Sequence, residues 1–191
     1  KAAATVPNTG IETVPFLAAN DTLGMPAFSP SGKLLAAIEG KKDGNWHNPQ
    51  GPDARVMLVD FDVATLKFTN YRAIAQASQF PAGQQAPAYP SFAPDSQWVA
   101  YHIGDKPTGC ESDNCNETGV RLGQLWLQNV SGAPPVRLDK LNDSSLNPAD
   151  HNRTYEPTFN PIERGGYHWV VVTSPRDWGN KLTGTPNSGK K

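Results

Sequence analysis

The stretch from Tyr89 to Ile103 decides the fold, because it holds two apolar segments separated by a tight turn. It reads Tyr-Pro-Ser-Phe-Ala-Pro-Asp-Ser-Gln-Trp-Val-Ala-Tyr-His-Ile. The first segment ends at Phe92 and the second begins at Trp98. Pro-Asp-Ser between them is typical of a turn, since proline, aspartate and serine favour turn geometry. The stretch therefore predicts two short strands joined by a hairpin turn.

The same pattern occurs three times along the chain. An earlier copy begins at Met25 and a later one at Tyr155. Three marker positions keep one spacing, in which the second copy follows the first by 64 positions and the third follows the second by 67. These markers are Pro26, Pro90 and Pro157; Phe28, Phe92 and Phe159; and Pro30, Pro94 and Pro161. A unit that recurs at a nearly fixed period indicates a repeat fold.

Each complete copy predicts four short strands, whereas helical segments are nearly absent. The first copy predicts strands at Met25–Phe28, Leu34–Ile38, Arg55–Asp60 and Leu66–Ile74. The second predicts them at Tyr89–Phe92, Trp98–Ile103, Leu122–Leu127 and Pro135–Leu138, and the third at Pro157–Phe159 and Tyr167–Thr173. Only Arg72–Ser78 could form a helical turn or two. We therefore expect an all-β protein, a β-propeller built of four-stranded antiparallel blades.

The chain holds about two and a half to three such blades. Residues 1–21 are expected to be the last strand of a preceding blade, residues 22–80 and 81–145 two complete blades, and residues 146–191 half of a further one. A closed ring needs about four blades or more. We therefore expect the ring to be completed by missing sequence or by another chain. The unbroken apolar run at Val170–Val172 predicts strands covered on both faces.

The segments Phe28–Ala37 and Phe92–Tyr101 resemble the Pro-Asp-containing repeats of the bacterial TolB-like propellers. The third copy, Phe159–Gly166, departs from that pattern by a longer turn. The resemblance implies a propeller fold and covers most of the chain after Met25. It leaves the activity open, because such propellers occur in envelope scaffolds, glycan-processing enzymes and the gating domains of serine peptidases.

Composition and charge exclude some classes of function. With 191 residues, 37% of them hydrophobic, the chain can form a core, and its net charge of −1 argues against a nucleic-acid partner or an acidic membrane surface. No apolar run approaches the about 20 residues that span a bilayer. Cys110 and Cys115 are expected to form a local disulfide, the alternative being two free thiols. A disulfide would place the protein in the periplasm, on the outer surface or outside the cell.

The longer loops are predicted to project from one face of the propeller. Within a blade, the turns after the first and third strands are short, while the connections after the second and fourth strands are long. Two of the long loops share an acidic, aromatic and amide composition, and they supply the candidate binding residues Asn45, Trp46, His47, Arg176, Asp177 and Trp178. Tryptophan and arginine often anchor interfaces, and tryptophan stacks on sugars. The alternative is that Trp46 and Trp178 only cover the rim of the ring.

Metal and catalytic motifs are weak. Oxygen ligands for calcium surround the cysteine loop at Glu111, Asp113, Asn114 and Glu117, but their spacing fits no EF-hand, so we expect no cofactor. His102 and His168 are expected to be packed side chains. No Gly-x-Ser-x-Gly or His-Glu-x-x-His motif is present, so no catalytic residue is predicted.

Two functions therefore remain after the sequence is read. The first is a non-catalytic propeller module of an envelope or secreted protein that binds a protein or a glycan through its looped face. The alternative is the propeller part of an enzyme, either one that acts on glycans or a serine peptidase.

Overall fold

The computed structural model describes residues 21–41, 50–82, 86–104, 122–143, 148, 151–174 and 176. Within these ranges the chain forms mostly strands. They are β1 Asp21–Phe28, β2 Leu34–Lys41, β3 Gln50–Asp62, β4 Lys67–Gln76, β5 Ala86–Phe92, β6 Trp98–Gly104, β7 Gly123–Asn129, β8 Val136–Arg137, β9 Tyr155–Phe159 and β10 Val170–Thr173. A 3-10 turn follows β4 at Ala77–Gln79, and a short helix, α1, spans Asp139–Asn142.

The strands form three antiparallel sheets in chain order. The first sheet has the order β1-β2-β3-β4, the second has the order β5-β6-β7-β8, and the third pairs β9 with β10. In each sheet every strand pairs with its neighbour in sequence. The predicted all-β class and its four-stranded antiparallel unit are therefore confirmed.

The hairpin turns between the first two strands of each sheet are held by local hydrogen bonds. In the first sheet, Leu34 N–H donates to Ser29 Oγ at 3.0 Å, and Gly32 has a φ of 69° that favours glycine. In the second sheet, Asp95 Oδ1 accepts a bond from Gln97 N–H at 2.8 Å. Short polar side chains thus stabilise the turns that their sequences predict.

The connection between the predicted strands Leu34–Ile38 and Arg55–Asp60 is shorter in the structure, because both strands continue into it. β2 ends at Lys41, and β3 begins at Gln50. The strands continue because Glu39 lies opposite Arg55 and the two side chains form an ion pair, with Arg55 Nε 3.2 Å from Glu39 Oε2. The hydroxyl of Tyr71 also donates to this buried carboxylate at 3.1 Å. Burial and the nearby charge of Glu39 raise the pKa of Tyr71.

Two further expectations differ from the structure. The predicted helical turns at Arg72–Ser78 are wrong for most of that segment, since β4 continues to Gln76 by pairing with Arg55. In the third copy the second strand begins at Val170 instead of Tyr167. Tyr167 lies in the longer turn, where its N–H donates to the carbonyl of Arg164 at 3.2 Å.

The main core lies between the first and second sheets. Along β6, side chains alternate between two faces, and Val99, Tyr101 and Ile103 point towards the first sheet. They pack in one buried cluster with Ile38 and Leu58. The first strand of the second sheet, β5, contacts β1, β2 and β3. The second sheet therefore stacks on the first through its own first strand.

The second and third sheets pack in the same way. The opposite face of β6 carries Ala100, which lies in a buried cluster with Ala93 and Phe159. Strand β9 contacts β5, β6 and β7. Val170 faces this cluster, but Val171 is exposed. No sheet among the described residues lies beyond the third one, so the expectation that the valine run is covered on both faces stays a prediction.

The repeat allows one phenylalanine to serve as a matched control for another. Phe92 is buried between two sheets, whereas Phe28 occupies the equivalent position and is exposed. We expect Phe92→Ala to lower the free energy of unfolding by about 3–5 kcal/mol and Phe28→Ala by less than about 1 kcal/mol. Urea unfolding followed by circular dichroism measures both. Equal losses in the two variants would contradict the stacking described above.

Candidate functional site

The short turns of consecutive sheets lie side by side. The N–H of Ser31, in the first turn, donates to Oγ of Ser96 in the second at 3.1 Å. Nε2 of His168, in the third turn, lies 3.9 Å from Oδ2 of Asp95. We call this the short-turn end, formed by the turns at residues 29–33, 93–97 and 160–169. Because neighbouring strands are antiparallel, the longer connections leave from the opposite end of each sheet.

The opposite end is called the long-connection end. There the chain runs from β2 to β3, from β4 to β5, from β6 to β7 and from β8 to β9, through residues 42–49, 77–85, 105–122 and 138–154. The last of these is described in part. Its described residues show how such a connection is held against the sheets.

Arg137, in β8, is the centre of that attachment. Its guanidinium donates to both carboxylate oxygens of Asp143, at 2.8 and 2.9 Å, and to Oδ1 of Asn152 at 2.6 Å. Its Nε donates to Oε1 of Gln124 at 3.1 Å, and it also pairs with Asp139. The hydrogen bonds from Arg137 hold the pKa of Asp143 below its usual range. One planar side chain thus joins β7, α1 and the segment before β9.

Asn142 provides a second attachment, and it is fully buried. Its side-chain amide accepts a bond from the N–H of Leu125 at 2.8 Å and donates to the carbonyl of the same residue at 3.0 Å. The side chain of Asn142 therefore makes with the backbone of Leu125 the two hydrogen bonds that a neighbouring strand would make. The carbonyl of Asn142 in turn accepts the N–H of Asn152 at 2.9 Å.

Arg176, one of the predicted binding residues, lies inside this arrangement. Its guanidinium donates to the carbonyls of Leu141, at 2.7 Å, and Asn142, at 3.0 Å, and it also bonds to Oγ1 of Thr154. The side chain is buried. Arg176 therefore ties α1 to the start of β9, and a role in binding a partner stays a prediction.

Gly123 shows how closely the connection approaches the sheet. Its N–H donates to the carbonyl of Asn152 at 2.6 Å, and its carbonyl accepts the N–H of Thr154 at 3.0 Å. A Cβ atom at this position would lie 2.9 Å from the carbonyl oxygen of Thr154 and would overlap the ring of Tyr155. Glycine is required here by the close approach of two backbones.

A second feature is a cavity of about 260 Å³ where the first strands of the three sheets meet. Its lining is mainly apolar and comes from equivalent positions of the three copies. The lining residues are Met25, Pro26, Tyr89, Pro90, Ser91, Pro157 and Thr158. Each of the three strands carries a β-bulge at this level.

The bulged residues have an unusual backbone conformation. Met25, Tyr89 and Glu156 precede the three repeated prolines and have φ values of 52°, 52° and 49°. The N–H of Tyr89 donates to Sδ of Met25 at 3.3 Å, and that of Glu156 donates to Nδ1 of His102 at 3.1 Å. In β5 and β9, the bulged residue therefore directs its backbone N–H towards a side chain of the preceding sheet.

His102 is a packed side chain with a structural role. It is fully buried, its ring stacks on that of Tyr89 with centroids 5.5 Å apart, and it meets Tyr155 edge-on. His168 lies instead at the short-turn end, near Asp95 and Glu163. Neither histidine lines the cavity.

Most of the predicted site lies outside the described residues. This applies to the binding residues Asn45, Trp46, His47, Asp177 and Trp178, to the calcium ligands Glu111, Asp113, Asn114 and Glu117, and to the disulfide pair Cys110 and Cys115. Within the described ranges, no group of three or more histidine, cysteine or acidic side chains could hold a metal ion. None of the helices found there has the length and apolar character needed to cross a membrane.

The sequence did not identify Arg137, Asn142 or Gly123. Some of their partners lie far along the chain: Asn142 bonds to Leu125, 17 residues away, and Arg137 bonds to Asn152, 15 residues away. The one available signal was the sequence Arg137-Leu138-Asp139, which places opposite charges two residues apart without indicating Asp143 or Asn152.

Comparisons with known proteins leave the family open. No protein-family model matches the chain, and no curated protein matches it. Among solved structures, the chain is similar to hydrazine synthase of Kuenenia stuttgartiensis, with 20% sequence identity and a TM-score of 0.40. The match covers 77% of this chain and spans 38% of that chain.

The Arg137 cluster predicts a change in stability with pH. Because the pKa of Asp143 is lowered in the folded state, its contribution to stability is present above the pKa of an unfolded aspartate, about 3.9, and is lost as the pH falls through the lowered value. We expect Arg137→Gln to lower the free energy of unfolding by about 1–2 kcal/mol at pH 7. The variant should also lose less stability than the parent on acidification below pH 4.

The matched control is Arg164→Gln, since Arg164 is exposed and lies in the turn at the short-turn end. It removes the same charge without touching Asp143. Urea unfolding from pH 7 to pH 2 measures all three proteins. A parallel pH dependence in the parent and Arg137→Gln would show that Arg137 does not act through Asp143.

Proposed function

We propose that the chain is part of a β-propeller that serves as a non-catalytic binding module of a cell-envelope or secreted protein. Its ligand, a protein or a glycan, binds at the long-connection end. The observation that carries this proposal is the contact between Ser31 and Ser96, because it keeps the short turns together and leaves the long connections at the other end. Loops held by a rigid scaffold are where binding residues concentrate.

The propeller arrangement is supported by the way in which the sheets follow one another. Each later sheet places its first strand against the sheet before it, and equivalent phenylalanines, Phe92 and Phe159, are buried in the two interfaces. Continued in both directions, this stacking produces blades around an axis lined by first strands. The cavity between β1, β5 and β9 would lie along that axis.

The binding role is supported by the attachment of the described part of the connection between β8 and β9. Arg137, Asn142 and Arg176 attach the connection between β8 and β9 to the second sheet through side-chain hydrogen bonds. A loop that is already ordered loses little conformational entropy when a ligand binds. Such bonding is suited to a surface that keeps one shape.

The composition of the segments at Asn45–His47 and Arg176–Trp178 indicates the ligand class. Trp46 and Trp178 supply flat apolar surfaces, and Asn45, His47 and Asp177 supply donors and acceptors beside them. Tryptophan next to amide and carboxylate groups is suited to the face of a sugar ring and its hydroxyls, and also to an apolar anchor of a protein partner. A disulfide between Cys110 and Cys115 would agree with a periplasmic, outer-surface or secreted location.

The second candidate is the propeller part of an enzyme with its site on the axis. The observation that favours it is the cavity of about 260 Å³, since strained backbone at Met25, Tyr89 and Glu156 surrounds it. Tyr89, Ser91 and Thr158 are the hydroxyl-bearing residues in its lining. Ser91 Oγ already accepts the N–H of Phe159 at 3.0 Å, which gives it a structural role. Binding at the long-connection end is therefore the preferred function.

The two tryptophans allow a direct test. We expect Trp46→Ala and Trp178→Ala each to weaken binding by about tenfold or more, because each removes an aromatic side chain with which the protein would contact the ligand. Binding is measured on an array of bacterial envelope glycans and, in parallel, on an immobilised envelope-protein fraction. The glycan and protein arms distinguish the two ligand classes.

The control is Tyr167→Ala, which removes an exposed aromatic side chain from the short-turn end. It should bind as the parent does, and all variants should keep the parent's urea midpoint. If the tryptophan variants bind normally, or if Tyr167→Ala loses as much binding as they do, the assignment of the long-connection end is wrong.

A further inference from the structure

The second and third sheets are each attached to the preceding sheet by the backbone N–H of the bulged residue, but the two acceptors differ. The N–H of Tyr89 donates to Sδ of Met25 at 3.3 Å, and the N–H of Glu156 donates to Nδ1 of His102 at 3.1 Å. A thioether takes up no proton in water near neutral pH, whereas an imidazole does so at about pH 6.5. Equivalent contacts in two copies of the repeat therefore differ in their response to acid.

His102 lies in the contact between the second and third sheets. It pairs with Ala88 of β5 and Leu125 of β7, and its side chain is fully buried. Tyr89 stacks on the ring, with centroids 5.5 Å apart, and Tyr155 of β9 meets it edge-on at 5.8 Å. A positive charge placed on this ring would lose most of its hydration.

The titratable groups on the strands packed around His102 are these two tyrosines and Glu156, and Arg153 lies just before β9. The carboxylate of Glu156 accepts the hydroxyl of Thr173 at 3.2 Å. In general, phenols ionise near pH 10 and carboxylates near pH 4, so an imidazole is the kind of side chain in this contact that changes charge between about pH 7.5 and about pH 5.5.

The hydrogen bond to Glu156 can form in one protonation state of the ring. A neutral imidazole has one N–H donor and one acceptor nitrogen, and a protonated imidazole has two donors and no acceptor. Because Nδ1 of His102 is the acceptor, the ring is neutral and its proton is on Nε2. Protonation would place an N–H group on Nδ1, facing the N–H of Glu156, and would leave the backbone donor without its acceptor.

We infer that His102 is an acid-sensitive contact between the second and third sheets, in which the neutral ring holds β9 and the protonated ring releases it. The inference concerns a contact between two described sheets and is independent of the ligand proposed above. It makes the third sheet responsive to acid at a point where the second sheet, held through Met25, is not.

A second backbone attachment of β9 shows how far the release extends. The N–H of Phe159 donates to Ser91 Oγ at 3.0 Å, and a hydroxyl gains no proton in this pH range. The ring of Phe159 also lies in the buried cluster with Ala93 and Ala100. Protonation of His102 therefore acts first on the start of β9, and opening of the whole strand uncovers this cluster.

Hydrogen exchange of single amides, followed by NMR on the parent chain, measures the effect. After correction for intrinsic exchange rates, the protection of the Glu156 amide should fall about tenfold between about pH 7.5 and about pH 5.5. The sign follows from proton binding, because below about pH 6.5 the open form binds a proton that the closed form does not. The Tyr89 amide is the matched reference in the same molecule, and its protection should change by less than about twofold.

Three variants separate His102 from other sources of acid sensitivity. His102→Asn keeps an acceptor atom at the same number of bonds from Cβ but does not titrate, so the Glu156 amide should lose its acid dependence. Ser91→Ala should lower the protection of the Phe159 amide at both pH values and keep the tenfold loss at Glu156. His168→Asn removes a histidine at the short-turn end and should also keep that loss.

Long-range proton–nitrogen correlation spectra of the parent report the state of the ring without relying on a variant that folds. We expect Nδ1 of His102 to carry no proton at about pH 7.5. A protonated Nδ1 at that pH would overturn the inference, and so would a doubly protonated ring at about pH 5.5 with undiminished protection of Glu156. Equal losses at Glu156 and Tyr89, or an unchanged loss in His102→Asn, would mean that acid acts elsewhere. None of these outcomes depends on the ligand-binding tests of the tryptophan variants.

Discussion

The packing of each first strand on the preceding sheet is the interaction on which the rest of the structure depends. A four-stranded sheet with apolar side chains on both faces has no stable state by itself in water, because at least one of those faces would be exposed. Burying Phe92 and Phe159 between sheets removes that exposure. The N–H of Phe159 also donates to Ser91 Oγ, so this hydrogen bond fixes the position of β9 along β5, in addition to the apolar contact.

The bulge before each repeated proline makes this packing geometrically consistent. Between the pairs Gly24–Ile38 and Ala27–Ala36, β1 holds two residues, Met25 and Pro26, where β2 holds one, Ala37. The extra residue shifts every later side chain of the strand to the other face. A residue in the left-handed region costs on the order of 1–3 kcal/mol, and the structure keeps one in each copy. The phenylalanine then faces the preceding sheet.

The order of the strands could be predicted from the sequence, because the proline and phenylalanine markers recur with the apolar runs that follow them. The bulges could not, since a residue before proline is normally extended and nothing in Met25, Tyr89 or Glu156 indicates a positive φ. Their conformation is set by tertiary contact. The N–H of Glu156, for example, needs His102 from another sheet.

The sequence predicted that the long connections share one end of the sheets, but it did not predict the hydrogen bonds that attach them. Loop lengths alone predicted it, whereas the attachment of its described residues depends on bonds between residues far apart, such as Arg176 with Thr154. A binding motif rich in arginine and aromatic residues does not show which of its side chains faces inward. Arg176 is buried among backbone carbonyls, while Trp178 lies outside the described residues.

The two ends of each sheet are therefore subject to different constraints. At the short-turn end, side chains such as Ser31 and Ser96 must fit the neighbouring copy, so its chemistry is tied to the repeat. At the long-connection end, the attachment through Arg137 and Asn142 uses residues that have no equivalents in the first sheet, where Tyr71 and Glu39 form a different cluster. Each connection can therefore differ without disturbing the packing between sheets. A repeat that keeps its interfaces and varies its loops is suited to binding, because the ligand surface can change while the core does not.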